Sequence, residues 1–132
     1  MIFDPILDIF RGKAVTVPPM DGALKPNTAL DDAHALLEIE APDNLCTNGE
    51  DIVFSSGNQL FSLAAGGEAH EISRFNTAVT ALAFSPAGEL AIALETGVLR
   101  LMTREGALRD LVSPAKLGCV TALAFDAKGA LY

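Results

Sequence analysis

Few residues in this sequence are placed to do chemistry. Asp43 and Asn44 stand side by side after Pro42, a carboxylate next to an amide, and together they present the hard oxygen donors that Ca²⁺ prefers. The same residue types also form turns readily, by hydrogen-bonding to nearby backbone, with no metal involved. Glu38 and Glu40 alternate with Leu37 and Ile39, which matches the solvent face of a strand better than a carboxylate pair set for acid–base work. His34 and His70 each lack a spaced His or Cys partner, so both read as surface or capping residues.

Cys46 and Cys119 are 73 positions apart, whereas zinc and dithiol motifs need cysteines about two to four residues apart. The expectation is two small buried thiols, with a disulfide only if the fold brings them together. Ser55-Ser56-Gly57 and Ala64-Ala65-Gly66-Gly67 are turn material. They lack the Gly-x-Ser-x-Gly elbow of a nucleophile and the lysine of a phosphate loop. No catalytic residue is assigned.

The elements that must position these residues are visible as a repeat. Val79-Thr80-Ala81-Leu82-Ala83-Phe84 recurs letter for letter as Val120-Thr121-Ala122-Leu123-Ala124-Phe125, an offset of 41, and the match continues through Gly88 with Gly129 and Leu90 with Leu131. A weaker upstream copy places Ile52–Ser55 and Leu60–Leu63 on Leu90–Ala93 and Val98–Leu101, at an offset of 38. A period near 40 is the length of one four-stranded β-propeller blade. Within a unit the expected order is a strand from Val79 to Phe84, a turn at Ser85-Pro86-Ala87-Gly88, and a strand from Glu89 to Leu94. Glu95-Thr96-Gly97 then turns into Val98–Met102, and Arg104-Glu105-Gly106 into Ala107–Val112. The runs are too short and too often broken by Gly or Pro for a helical solenoid. With no Trp and no Gly-His pair, the chain lacks the WD40 signature.

Fold class is therefore all-β: an incomplete N-terminal part of a β-propeller with about two to three blades. The expected division is a lead-in over 1–40 and blades over 41–78, 79–119 and 120–132, the last cut short. Asp4 caps a short helix over Pro5 to Gly12, whose apolar face packs on the body. With one cation, that helix is a poor membrane anchor. A blade buries its faces only against neighbours, so the remaining blades of the same protein, or a self-associated copy, are expected partners.

Of the 132 residues, 17 are acidic and 9 basic, for a net charge of −8. Residues 1–51 carry ten acids and three bases, residues 52–132 seven and six. An acidic chain without a Lys/Arg cluster cannot neutralise phosphates, so no nucleic-acid partner is expected. No apolar run approaches the roughly 18 residues of a membrane helix, and no membrane partner is expected. Met1-Ile2-Phe3-Asp4-Pro5 lacks the flanks of a secretory signal, so the default expectation is a cytoplasmic protein.

Pro26-Asn27-Thr28-Ala29-Leu30-Asp31-Asp32-Ala33, Ala41-Pro42-Asp43-Asn44-Leu45 and Ile52-Val53-Phe54-Ser55-Ser56-Gly57-Asn58 resemble, in order and spacing, the opening segments of the strictosidine synthase-like branch of six-bladed β-propellers. That branch is related to the gluconolactonases and more distantly to the paraoxonases. The resemblance spans residues from about 15 to 132. It implies hydrolysis of a small-molecule ester or lactone in the axial channel, or metal-independent condensation, and it places Asp43 where metal-dependent relatives carry an acidic ligand. The candidate metal ligands are Asp43, which the resemblance implies, Asn44 beside it by its oxygen chemistry, and Glu40 two residues before Pro42 as a second candidate, with Ca²⁺ as the expected ion and no other cofactor. Where the hydrolases carry an Asn-Asp pair in a later blade, this chain has Thr121-Ala122, so one family ligand is missing. That departure favours a non-catalytic propeller that binds a small molecule or a protein.

Overall fold

Short apolar runs interrupted by glycine every few residues close local antiparallel pairs, since a parallel partner needs a long crossover connection. The computed structural model describes residues 28, 31–35, 37–64, 66–112 and 117–132. Its strands are β1 (Pro42–Thr47), β2 (Ile52–Ser56), β3 (Gln59–Leu63), β4 (Ala69–Arg74), β5 (Val79–Phe84), β6 (Leu90–Leu94), β7 (Leu99–Met102) and β8 (Leu108–Val112). They form two antiparallel sheets, ordered β1-β2-β3-β4 and β5-β6-β7-β8. A third unit opens where Phe125 bridges Leu131 and Ala124 and Tyr132 exchange backbone hydrogen bonds of 3.0 and 2.8 Å. The fold class is all-β, as the repeat predicts.

The chain divides into two units, Met1–His34 and Ala35–Tyr132, and every strand among the described residues lies in the second. In the first, the Asp31 N–H donates to the Thr28 carbonyl at 3.0 Å. The helix expected over Pro5 to Gly12 lies outside the described residues. Leu37-Glu38-Ile39-Glu40, patterned as a strand, is in no strand. Alternation fixes which side chains share a face, but a strand also needs an edge to pair with, and a lone one is not stable in water.

Five turns are built on one plan. At Ala64, Ser85, Leu94, Thr103 and Asp126 the backbone N–H donates to the carbonyl four residues on, and the N–H of a glycine three residues on donates back, all at 2.8 to 3.1 Å. Those glycines, Gly67, Gly88, Gly97, Gly106 and Gly129, have φ of 79 to 87°. A residue with a Cβ is strained there, so the Gly spacing in the sequence marks strand ends.

The same pairings give the true alignment of the units. Thr47↔Ile52, Phe84↔Leu90 and Phe125↔Leu131 are one bridge in three copies. From the first sheet to the second the offset is 37 at β1 (47 to 84), 38 at β2 (52 to 90) and 39 at β3 (Leu60 to Leu99, through Ser55↔Leu60 and Ala93↔Leu99). Each of the first two turns is one residue shorter in the first sheet. Leu60–Leu63 therefore align with Leu99–Met102, one position beyond the Val98–Leu101 expected from a constant offset.

The core forms between the sheets. Val53 and Leu60 from the first pack with Val79, Leu90, Ile92, Leu94 and Met102 from the second, closed at one end by Phe75. Leu60 and Ile92 are wholly buried, each stabilising the fold by roughly 2 kcal/mol. Phe54 stacks on its cross-strand partner Phe61, with centroids 5.4 Å apart. On its other face the second sheet offers Ala81, Ala93 and Leu99 to Val120, Leu123 and Leu131 of the third unit. The repeated hexapeptide is a built-in control. Val79, Ala81 and Ala83 are buried, yet none of the identical residues from Val120 to Phe125 is. Position between two sheets, and not residue type, makes the difference.

The segment leading to the third unit lies against the β6–β7 turn, so a Cβ on Gly97 would run into the Leu117 carbonyl oxygen, whereas one on Gly106 meets nothing within 4 Å. Gly106→Ala is expected to cost only the left-handed backbone term, about 1 kcal/mol. Gly97→Ala adds a steric clash and is expected to cost about 3 kcal/mol in all. Urea unfolding of the two variants measures the difference; equal losses would mean the link does not press on Gly97.

Candidate functional site

The two sheets meet along their first strands, β1 against β5, and their outer strands make no comparable approach. The sheets thus fan out from an axis lined by first strands, and functional side chains are to be sought at the two ends of those strands.

At the starting end stand the residues singled out from sequence. A β-bulge interrupts β1, where the register shifts between Asp43↔Ser55 and Cys46↔Val53. Asn44 adopts the left-handed φ of 49° there, a conformation Asn tolerates better than most residues. Its side-chain Nδ2 donates to Ser55 Oγ at 3.0 Å and to the Val79 carbonyl at 3.1 Å. Ser55, fully buried, donates from Oγ to the Asp43 carbonyl at 3.1 Å. Asn44 thus spends both amide hydrogens tying β1 to β2 and to the first residue of β5. Its backbone N–H donates to Asp43 Oδ1 at 2.8 Å, and the pair lies in a bulge within β1 rather than in a turn ahead of the first strand.

Asp43 and Glu40 are exposed, and the Glu40 backbone carbonyl accepts a hydrogen bond from Ser56. Among the described residues no group of three or more His, Cys, Asp or Glu side chains is placed to hold a metal ion. The donors at this end do not by themselves fit a hard cation, which takes about six to eight oxygens. Asp43, Thr80 and Thr121 each stand four residues before the shared bridge at Thr47, Phe84 and Phe125, although Asp43 faces Ser55 and Thr80 falls in the bulge of β5. The Thr80 hydroxyl and that of nearby Thr77 are buried without a hydrogen-bond partner.

The other candidates lie apart. His34 is exposed, and exposed His70 has Nε2 4.0 Å from Glu68 Oε2. Cys46 and Cys119 are free thiols. Cys119 is exposed, contrary to the expectation of two buried thiols, because it sits in the irregular segment before the third unit. Cys46 is half-buried against the core, and burial pushes its thiol up to about 11.

At the finishing end is a cleft of about 450 Å³. Its wall repeats one pair of positions: Thr47 and Asn48, Phe84 and Ser85, Phe125 and Asp126. The second member always caps the following turn. Asn48 Oδ1 accepts from the N–H groups of Glu50 and Asp51 at 2.9 and 2.8 Å. Ser85 Oγ accepts from Glu89 at 3.0 Å, and Asp126 Oδ1 from Lys128 and Ala130, both at 2.8 Å. Sequence reasoning passed over this row, although an Asn, Ser or Asp directly after each first strand was a readable signal.

On the outer strands, hydrogen bonds from Arg74 and then Gln59 hold the Glu71 carboxyl below its ordinary range. The Arg100 guanidinium pairs with Asp110 at 2.8 Å and lies 5.8 Å from the centre of the Phe75 ring. Both pairs fasten edges and stand away from the axis.

No protein-family model and no curated protein matches the chain. In three dimensions it is similar to virginiamycin B lyase from Staphylococcus aureus, a β-propeller, at 17% identity and a TM-score of 0.59, covering 70% of this chain and 33% of that one. A catalytically inactive form of that lyase with quinupristin matches at 15% identity, with the same TM-score and coverage. PorZ, a surface component of the type-IX secretion system of Porphyromonas gingivalis, is a weaker match, with a TM-score of 0.49. The chain therefore has the fold of a partial β-propeller and spans about a third of the length of the lyase.

Replacing Asn44 by Gly keeps the backbone conformation and removes the amide, with an expected loss of about 1 to 3 kcal/mol in urea unfolding. Asn44→Ala is expected to lose about 1 kcal/mol more through left-handed strain; equal losses would show that the bulge relaxes. With a thiol-reactive disulfide at pH 8, Cys119 is expected to label fast and Cys46 slowly. A depressed carboxyl contributes stability above its unfolded pKa, about 4.3, that is lost as pH falls through the folded value. Glu71 is thus expected to titrate below that value by ¹³C NMR and to return toward it in Arg74→Gln.

Proposed function

We propose that this chain supplies blades to a β-propeller that holds a small molecule at its axial channel. The observation that supports this reading is the cleft at the finishing end of the first strands, walled by one position repeated through three units. At about 450 Å³ it falls in the range of ligand pockets, roughly 300 to 1,000 Å³. Phe84 and Phe125 offer apolar surface, while Ser85 and Asp126 bring polar groups whose orientation is fixed by the turns they cap. A ligand there would be gripped by rings and oriented by a hydroxyl and a carboxylate, with further blades completing the wall.

Hydrolysis of a small ester or lactone is the second reading, and the resemblance to the strictosidine synthase and gluconolactonase group supports it. Asp43 keeps an exposed carboxylate at the starting end of β1. A divalent cation there would orient the substrate and stabilise an oxyanion. Because Asn44 is engaged in the clamp, such a site would draw on Asp43, Glu40 and donors from other blades. A fold shared with a lyase leaves the reaction class open.

Two experiments separate the readings. In a small-molecule screen by ¹H–¹⁵N shift mapping, binding at the mouth is expected to move Thr47, Ser85 and Asp126, and Phe125→Ala is expected to weaken it. Ligands that move Asp43 and Thr80 instead would relocate the site to the opposite end. The hydrolase reading expects millimolar Ca²⁺ to raise the melting temperature and Asp43→Ala to abolish the rise. A melting temperature indifferent to both calcium and chelator removes its basis.

A further inference from the structure

Beside the axial cleft, a groove of about 270 Å³ runs between the two sheets. Its floor is apolar and comes from both sides, Val53 and Ile72 from the first sheet and Leu90 and Met102 from the second. None of these four lines the axial cleft.

The two lips of the groove carry opposite charge. Glu50 and Asp51, in the β1–β2 turn, stand on one, and Arg104, in the β7–β8 turn, stands on the other. Asp51 Oδ2 accepts one hydrogen bond from Asn48 Nδ2 at 3.1 Å. The Arg104 Nε donates to the Ala87 carbonyl at 2.9 Å, its guanidinium lying over Gly88. The ion pairs among the described residues are His70–Glu68, Arg74–Glu71 and Arg100–Asp110, so the two lips are not joined to each other. Packed sheets stand about 10 Å apart, the scale on which a bridging probe is chosen.

We propose that the groove binds a linear dipolar amphiphile, with an ammonium group at Glu50 and Asp51, a carboxylate at Arg104, and an apolar stem of about five methylenes on the floor between them. Single-charge molecules satisfy one lip and meet like charge or nothing at the other. A dipolar one satisfies both while its stem lies on Ile72, the exposed part of a floor whose other residues, Val53, Leu90 and Met102, are buried in the core. The groove shares Glu50 and Arg104 with the axial cleft, but its floor is its own, so shifts at Ile72 and Met102 distinguish a ligand in the groove from one in the mouth.

The test is titration of the chain with 6-aminohexanoate, followed by ¹H–¹⁵N shifts, with hexylamine and hexanoate as single-charge controls. The dipolar probe is expected to bind several-fold tighter than either control and to move Glu50, Asp51, Ile72 and Met102. Glu50→Gln and Arg104→Gln are each expected to weaken it by about two- to fivefold, the scale of one exposed ion pair. Arg104→Lys keeps the charge and is expected to retain most of the affinity, while hexylamine is expected to be indifferent to Arg104→Gln. Equal affinity for the three probes, shifts confined to Ser85 and Asp126, or no shift at tens of millimolar would each overturn the proposal. So would loss of hexylamine binding in Arg104→Gln, which would mark collapse of the turn rather than loss of a charge.

Discussion

The contact on which the rest of this chain depends is the packing of one four-stranded sheet on the next. A sheet this small has two broad faces and, among the described residues, no helix to cover them, so each apolar face finds another sheet. Val53 and Leu60 meet Leu90, Ile92 and Leu94 across that interface, and the small side chains of Ala81 and Ala93 let the third unit approach from the other side. The turns, the bulge and the axial geometry follow from it. Strands are four to six residues long because tight turns, five of them closed by a glycine, end them, and the first strands β1 and β5 come together where the sheets meet.

Convergence creates a local problem at the starting end, where β1 and β5 come together and backbone groups need partners away from water. The bulge at Asn44 answers it. By leaving the regular register the backbone places an amide where it bonds Ser55 and the Val79 carbonyl together. The amide read from the sequence as a ligand beside Asp43 is thereby a joint between sheets. Its neighbour Asp43 keeps a carboxylate in solvent, so the two halves of one motif have separate fates.

Much of this was readable beforehand. The sequence located β5 to the residue and β6, β7 and β8 to within one, because Gly88, Gly97 and Gly106 sit at turns whose hydrogen bonding requires positive φ. The first sheet was harder to read, since its two shorter turns shift the alignment progressively from 37 to 39 and no single period captures that. Residues 37–40 show the limit of pattern reading: Leu and Glu alternate as in a strand, yet pairing is a property of two segments and only one was in view. The axial cleft escaped notice for a related reason. Asn48, Ser85 and Asp126 are different residue types that share one hydrogen-bonding task, and identity-based comparison does not align them.

The unequal turns also bear on how such a chain can change. A turn at a strand end can differ by a residue while the strands on either side keep their pairing. The first two turns of the first sheet are each one residue shorter than those of the second, yet the bridges Thr47↔Ile52 and Ser55↔Leu60 still match their counterparts. Variation in length is thereby confined to the rims, where the clefts open, while the strands keep their spacing. The fold separates the part that must stay constant from the part that meets a ligand, and new recognition can be reached by small insertions without redesign of the core.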